Sequence, residues 1–425
     1  MAEVAGGGPS LPEDLLIWEI LTRLPVKPLL RCRAVCRSWR RRLTSDAKFL
    51  LAHHRRQASL PLLTSWDEDT HERRIDVLDH RTGERHPVGR TTGRTAASED
   101  DFQDDLHVFA SCDGLIVLHA YGGLEICNPA TRQRAPLTRL HGAACISALY
   151  PHRPSGSYRV LCCFKRAEDG HAVYHVHTVG SGELRCVGEP PGPWASGDLA
   201  MAVSMMGFLD PPVLADGRIY WHPLKLPGGN AGNGKGKVNN MLVFDTMSES
   251  FQHLLSPVDG PFLELFEMNN GALGLYHYRG SSTDLWVLKD HRSWSWSLNT
   301  RIKLDVLFFS LLPVMDPEGD VLVLSDRGES GILWQYLHHI SGANGSLLAL
   351  YKWSAYLRLT RQRLKASLVR HDFFWMEGNA GSMDEKPLFD GLSTVVVLRD
   401  DNSESSQQDG VTHDSELSRN NSTAD

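Results

Sequence analysis

Between residues 75 and 338 the chain repeats one phrase: an apolar strand, a polar turn, then a second strand. The copies begin at Ile75, Leu124, His175, Met241, Leu285 and Leu333, roughly 50 residues apart with one longer gap before Met241. Ile75-Asp76-Val77-Leu78-Asp79-His80-Arg81-Thr82-Gly83-Glu84 and Met241-Leu242-Val243-Phe244-Asp245-Thr246-Met247-Ser248-Glu249-Ser250 show it in full. A second phrase precedes several copies, at Asp113-Gly114-Leu115, Asp216-Gly217-Arg218, Asn270-Gly271-Ala272 and Glu318-Gly319-Asp320. It sets a glycine turn before an apolar strand, because only glycine takes positive φ cheaply. Glycine turn, strand, loop, strand, polar turn, strand is the content of one four-stranded propeller blade. The texture from Leu60 onward is therefore all-β.

The front of the chain is different. From Leu11 to Leu51 apolar residues recur at helical spacing: Leu15, Ile17 or Trp18, Leu21, then Leu24 or Pro25. Pro12 suits a first helical turn, and Glu13 and Asp14 suit the positive end of a helix dipole. Pro25 stops this helix, Pro28 allows a second to begin at Leu29, and Cys36, Trp39, Arg40 and Leu43 mark a third. Three short helices enclose little core, so such a unit needs a partner or a docked domain.

These residues resemble an F-box of the plant type. Three blocks carry the resemblance in order: Leu11-Pro12-Glu13-Asp14-Leu15, Leu24-Pro25-Val26-Lys27, and Val35-Cys36-Arg37-Ser38-Trp39-Arg40, with Asp46 and Phe49 following. The stretch from Leu11 to the second Leu-Pro pair is one residue longer than is usual, at Ile17-Trp18. The resemblance implies docking on a Skp-type adaptor and, through it, on a cullin. It carries over Leu11, Pro12, Leu15, Leu24, Pro25, Val26, Leu29, Leu30, Val35, Cys36 and Trp39 as adaptor contacts. The repeats likewise resemble the F-box-associated domain and the kelch-like class, most closely at Asp113-Gly114-Leu115 and Asn128-Pro129-Ala130-Thr131.

The expected fold is thus multidomain α+β: a small N-terminal three-helix F-box followed by an all-β propeller-like domain of about six blades. Residues 1–10 are expected to be disordered, 11–55 helical, 60–399 the propeller and 400–425 a disordered acidic tail. Phe373-Phe374-Trp375-Met376 and Thr394 to Leu398 read as late strands that pair with an early one near Leu60 to Thr64, removing exposed edges.

A formal net charge of −7 gives no electrostatic case for nucleic acid. The six arginines between Arg31 and Arg42 read first as a solvated helix face and second as a nuclear-import or acidic-partner patch. Met1 to Ser10 has no secretory pattern, and the apolar run Val306 to Val314 is too short to span a bilayer. A cytoplasmic or nuclear location, no membrane partner, and eight reduced cysteines in packing roles follow as expectations.

No catalytic, cofactor or metal site is expected. Gly229 to Gly236 nearly spells a phosphate loop, but Gly236 replaces the hydroxyl residue and a strand follows instead of a helix. His171, His175 and His177 have no carboxylate or cysteine at ligand spacing to complete a set locally. Of the tryptophans at 286, 294, 296, 334, 353 and 375, most read as blade packing and one or two as open-face binding anchors, with Trp221 a further exposed-aromatic candidate. The resemblance implies a non-catalytic substrate-recognition subunit of a cullin-type ubiquitin ligase. A propeller hydrolase with an accessory helical module is the alternative, its carboxylates meeting at the propeller centre. The Gly89 to Asp105 and Leu226 to Asn240 insertions are the candidate target-binding loops.

Overall fold

A computed structural model describes residues 12–92, 106–191, 211–222, 240–303, 310–313, 320–375, 388–389 and 395–396, with short gaps at 68–69, 71, 121, 261–262, 269, 280–281, 330–331, 344 and 355–356. Leu11, the termini 1–10 and 400–425, most of both long insertions and the phosphate-loop-like run lie outside the described residues.

The helical front begins with α1 (Glu13–Leu15), a π-helical turn (Leu16–Ile20) and a 3-10 turn (Leu21–Arg23). The π-turn falls where the sequence carries its extra residue, at Ile17-Trp18. One added residue inside a helix is absorbed as a wider turn without breaking the rod. Next come α2 (Val26–Cys32), α3 (Arg37–Ser45) and α4 (Ala47–Arg56). The helix expected from Leu29 starts three residues earlier, with Pro28 in its first turn, where no intrahelical N–H is lost. A fourth helix, α4, follows the expected three. Asp46 caps it, its Oδ1 accepting from the amides of Lys48 (3.0 Å) and Phe49 (3.1 Å).

Six sheets follow. Blade A holds β1 (Ser59–Trp66), β2 (Glu72–Asp79) and β3 (Glu84–Thr92). Blade B is β4 (His107–Cys112), β5 (Leu115–Ala120), β6 (Gly123–Asn128) and β7 (Gln133–Pro136). Blade C is β8 (Cys145–His152), β9 (Ser157–Lys165), β10 (Ala172–Thr178) and β11 (Leu184–Gly188). Blade D is β12 (Val213–Ala215), β13 (Arg218–Tyr220), β14 (Asn240–Asp245) and β15 (Ser250–Leu255). Blade E is β16 (Leu263–Glu267), β17 (Leu273–Tyr278), β18 (Ser282–Asp290) and β19 (Ser295–Lys303). Blade F is β20 (Ser310–Pro313), β21 (Val321–Glu329), β22 (Ile332–Ile340) and β23 (Leu347–Ser354).

The six repeated phrases of the sequence are the six hairpins that join the third to the fourth strand of each blade, or their first halves. The Asp-Gly phrases are turns between first and second strands. At Asp113-Gly114 both residues have positive φ, 51° and 85°, the type I′ geometry that matches strand twist.

Blade A has no such turn because its innermost strand comes from the other end of the chain. β24 (Leu357–Lys365) pairs antiparallel with β1, Ser59 opposite Lys365 and Ser65 opposite Leu357. This pairing closes the ring. The closing strand is therefore not either of the late runs expected for it. Phe373 to Trp375 lie in a 3-10 turn (Asp372–Trp375), where Phe373 is buried and Trp375 is exposed. From the other late run, β25 (Val395–Val396) pairs with β3 rather than β1.

Candidate adaptor surface and central channel

The helical module has a core of its own: Ile17, Leu21, Leu29, Leu43, Phe49 and Leu50, all buried. Leu368, just beyond β24, completes that core, with Val369 and Ala130 packed beside it. The residues carried over as adaptor contacts divide by depth. Pro12, Leu15, Pro25, Val35 and Cys36 are exposed; Leu24, Val26, Leu30 and Trp39 are half-buried. Leu29 is 0% exposed and belongs to the core. Leu15 at 50%, Ile20 at 46% and Val35 at 66% are large apolar side chains left in water. Ile20 was absent from the sequence-derived set.

Two bonds shape this surface. Ser38 Oγ donates to Glu13 Oε1 at 2.9 Å, which brings the start of α3, with Val35 and Cys36 before it, to the end of the module that holds Pro12 and Leu15. Cys36 caps α3, its Sγ accepting the Trp39 amide at 3.4 Å, so this exposed thiol has a capping role and not the packing one expected. Arg37, Arg40 and Arg41 are exposed on α3, a solvated face.

The opposite side of the module is joined to the propeller. Only Gln57 and Ala58 separate α4 from β1. The His54 ring Nδ1–H donates to the Ala366 carbonyl at 3.1 Å, and its Nε2 lies 3.4 Å from Asp113 Oδ1. Tyr158 donates its hydroxyl to the other Asp113 oxygen at 3.0 Å. Burial alone would raise the Asp113 carboxyl, but the hydrogen bonds from His54 and Tyr158 outweigh it and hold the group below the usual carboxylate range. Gly114 lies against the chain leaving β24: a Cβ there would come within 2.3 Å of Ser367 Cβ and 2.9 Å of the Lys365 carbonyl oxygen. The Asp-Gly-Leu phrase is thus both a strand turn and the seat of α4.

Beneath that seat opens the propeller's central channel, a cavity of about 680 Å³. The first strands of blades B, C, D and E, with parts of the turns that follow them, and the end of β24 line it, with Leu51, His54 and Arg55 of α4 at its rim. Arg361, Arg363 and Lys365 alternate along β24, so their side chains share one face. Arg361 Nη1 donates to both oxygens of Glu264 at 2.5 Å. Arg363 donates to the Ser59 carbonyl, and burial lowers its guanidinium to about 10, with Glu267 working against that. Glu267 is open to channel water yet surrounded by protein. Burial and the Asp113 charge push its carboxyl up to about 7, against the pull of Lys365 and Arg363. The hydrolase alternative needs carboxylates meeting at the centre, and they do meet; but Asp113 is engaged on both oxygens and Glu264 is held by Arg361.

The three blade C histidines do not converge. His171 Nδ1 lies 3.2 Å from Glu189 Oε2, whereas His175 and His177 bond to the backbone carbonyls of Val173 and Glu183. Among the described residues, no group of three or more His, Cys, Asp or Glu side chains is arranged to hold a metal, and no helix is long and apolar enough to cross a membrane. Of the tryptophans, Trp353 is buried, and Lys352 Nζ lies 4.6 Å from the centre of the Trp334 ring. Trp221 is buried against Tyr174 and Phe251 and offers no open-face anchor.

Comparison with known proteins agrees with this architecture. The profile of the F-box domain matches residues 9–51, and that of the F-box associated beta propeller domain matches residues 90–308, just over half of the chain. The Arabidopsis thaliana F-box protein At3g07870 is 30% identical over 166 residues, 37% of this chain and 38% of that protein. The putative F-box protein At1g33530 of the same plant is 23% identical over 317 residues, 68% of this chain and 62% of that one. The chain thus spans under two thirds of the length of either relative. Among solved structures, the calcium-binding protein regucalcin from Agrobacterium tumefaciens is 12% identical with a TM-score of 0.31, covering 74% of this chain and 97% of that one. A likeness that faint carries no functional implication.

Proposed function

The chain belongs to the F-box proteins that carry an F-box-associated β-propeller, and from that premise we propose that it is the substrate-recognition subunit of a cullin-type ubiquitin ligase. The helices bind a Skp-type adaptor, and the propeller holds a target protein. The chain performs no covalent step. Its work is proximity: it raises the effective concentration of a target lysine beside a charged ubiquitin carrier.

The observation that carries this reading is the two-sidedness of the helical module. Its inner side is sealed by Leu368 and seated on Asp113 and Gly114, while Leu15, Ile20 and Val35 remain in water on a module too small to leave apolar surface unused. The seat fixes the direction in which an adaptor would stand relative to the channel axis. The target then belongs on the propeller face away from α4. Topology supports that choice: β4 and β13 run from and to that face, and the connections from β3 to β4 and from β13 to β14, which contain the two long insertions, leave from it.

The test is adaptor binding by the full chain. Burying one leucine side chain is worth roughly 1.5–3 kcal/mol, so Leu15→Asp with Val35→Asp should weaken adaptor binding at least tenfold. The free energy of unfolding, from a denaturant titration, should change by no more than about 0.5 kcal/mol, since both side chains are exposed. Undiminished capture of adaptor and cullin by the folded double variant would defeat the assignment.

A further inference from the structure

The charge of the chain is divided unevenly. Between Pro12 and Arg56 stand eleven Lys and Arg against four Asp and Glu, a formal charge of +7 in a chain whose total is −7, which leaves −14 on the rest. Three of the four acids of the module have tasks of their own. Glu19 pairs with Arg23 at 2.8 Å, Glu13 accepts from Ser38, and Asp46 accepts from the first amides of α4. In the propeller, arginines meet carboxylates, among them Arg85 with Asp76, Arg159 with Glu249 and Arg301 with Asp284. The arginines of α3 do not. Arg37, Arg40 and Arg41 stand three and four residues apart, so their side chains share one face, turned away from the half-buried Trp39 and the buried Leu43. All three are exposed, and among the described residues none of them makes an ion pair or a side-chain hydrogen bond.

This arrangement strains α3 electrostatically. Like charges three and four residues apart repel along the face. Arg37 stands in a first turn that holds no acid, at the positive end of the helix dipole. A carboxylate partner relieves both repulsions at once. The surroundings say what kind of partner it is. Arg37 lies two residues beyond Val35, which is 66% exposed, and the Ser38–Glu13 bond holds this end of α3 at the end of the module that carries Leu15. A cover for this surface must bury aliphatic carbon as well as meet guanidinium groups. A nucleic acid does only the second, and its extended charge meets the −14 of the rest of the chain. The chain's own acidic stretch, 400–425, offers only Val411, Leu417 and Ala424 as apolar residues. A folded protein surface that sets carboxylates beside apolar side chains does both.

We propose that Arg37, Arg40 and Arg41 form an electrostatic docking face for an acidic segment of the adaptor, contiguous with the apolar contacts at Leu15 and Val35. The proposal rests on the adaptor reading of the module and adds the chemistry of the partner to it. The guanidinium forks match carboxylates, and their unneutralised charge acts on the encounter before any contact is made. The face therefore governs how fast the adaptor arrives, whereas the apolar side chains govern how long it stays.

The test is the association rate of the full-length chain with a purified Skp-type adaptor, measured by stopped flow from about 20 to about 500 mM salt. Three chains are compared: wild type, Arg37→Glu with Arg40→Glu and Arg41→Glu, and the matching lysine triple. The wild-type rate should fall at least tenfold across that range. At low salt the glutamate triple should associate at least tenfold more slowly than wild type, and the lysine triple should stay within about threefold of it. Arg37→Glu alone should raise the denaturation midpoint, because it sets an acid at the start of α3. Equal rates for wild type and the glutamate triple, a lysine triple as slow as the glutamate one, or a lowered midpoint for Arg37→Glu would each overturn the proposal. So would a single-stranded oligonucleotide or a synthetic peptide of residues 400–425 that binds wild type and not the glutamate triple, since the face would then have another occupant. A wild-type chain that takes up no adaptor at any ionic strength would defeat the adaptor reading itself, and the proposal with it.

Discussion

The helical module and blade B treat apolar side chains in opposite ways. In blade B, Leu115, Ile116, Val117 and Leu118 follow one another without a break and all are buried, because a sheet clamped between two neighbours has two core faces. In the helical module, Leu15, Ile20 and Val35 stay in water although buried neighbours lie a few residues away. The blade consumes its apolar surface in folding. The module retains some, and it closes its core only with Leu368, borrowed from more than 300 residues downstream. The difference separates two uses of apolar residues: in the strands an apolar run is spent on packing, whereas on the helices it leaves a surface that the proposed function assigns to a partner.

The comparison breaks most severely at the seat between the two regions. Gly114→Val puts a β-branched side chain at φ 85° and against Ser367 and the Lys365 carbonyl. The expected cost is about 3–5 kcal/mol of global stability, read from denaturant unfolding; a loss under 1 kcal/mol would mean that this turn does not bear on the seam. Leu368→Ala comes next. It should cost about 2–4 kcal/mol, and the loss should be local: amides of α2, α3 and α4 should exchange faster while those of β5 and β6 stay protected. Equal deprotection of both regions would show that they unfold as one unit.

The smallest effect is a pH slope in the channel. Glu267 titrates near 7 in the folded chain and near 4.3 when unfolded. Between these values the folded state binds more protons than the unfolded state, so stability falls as pH rises from about 4.3 to about 7 and is level above that. Glu267→Gln removes this slope, so the variant should gain on wild type as pH is raised from about 5 to about 8. The carboxyl is open to channel water, so the gain is only a fraction of what the shift alone would imply. Parallel stability curves for the two chains would contradict the assigned environment.

The sequence made the blade hairpins legible because turn chemistry is local: Asp-Gly pairs and short polar turns must be written next to the strands they join. It hid ring closure for the opposite reason. β24 carries Arg361, Arg363 and Lys365 on one face, and its local sequence does not mark that face as one that lines the channel. Phe373 to Trp375 read as a strand because three aromatics stand together, yet only Phe373 is buried. On the candidate adaptor surface, apolar identity could not separate Leu29, which is core, from Val35, which is not, since Val35 lies in the turn between α2 and α3, where no helical phase assigns a face. Ile20 escaped because the π-turn shifts the helical phase just before it, and a wheel drawn at 3.6 residues per turn misplaces everything beyond the shift.

Leu368 also sets an order of events during synthesis. The helices are made before the propeller, but the side chain that plugs their core and the strand that seats them follow more than 300 residues later. A nascent or truncated chain that stops short of this point has helices with an open core and a propeller without its closing strand. The helical core and the ring are therefore completed by one stretch, residues 357–368, well after the helices in chain order. One buried leucine thus ties the completeness of the helical module to that of the ring.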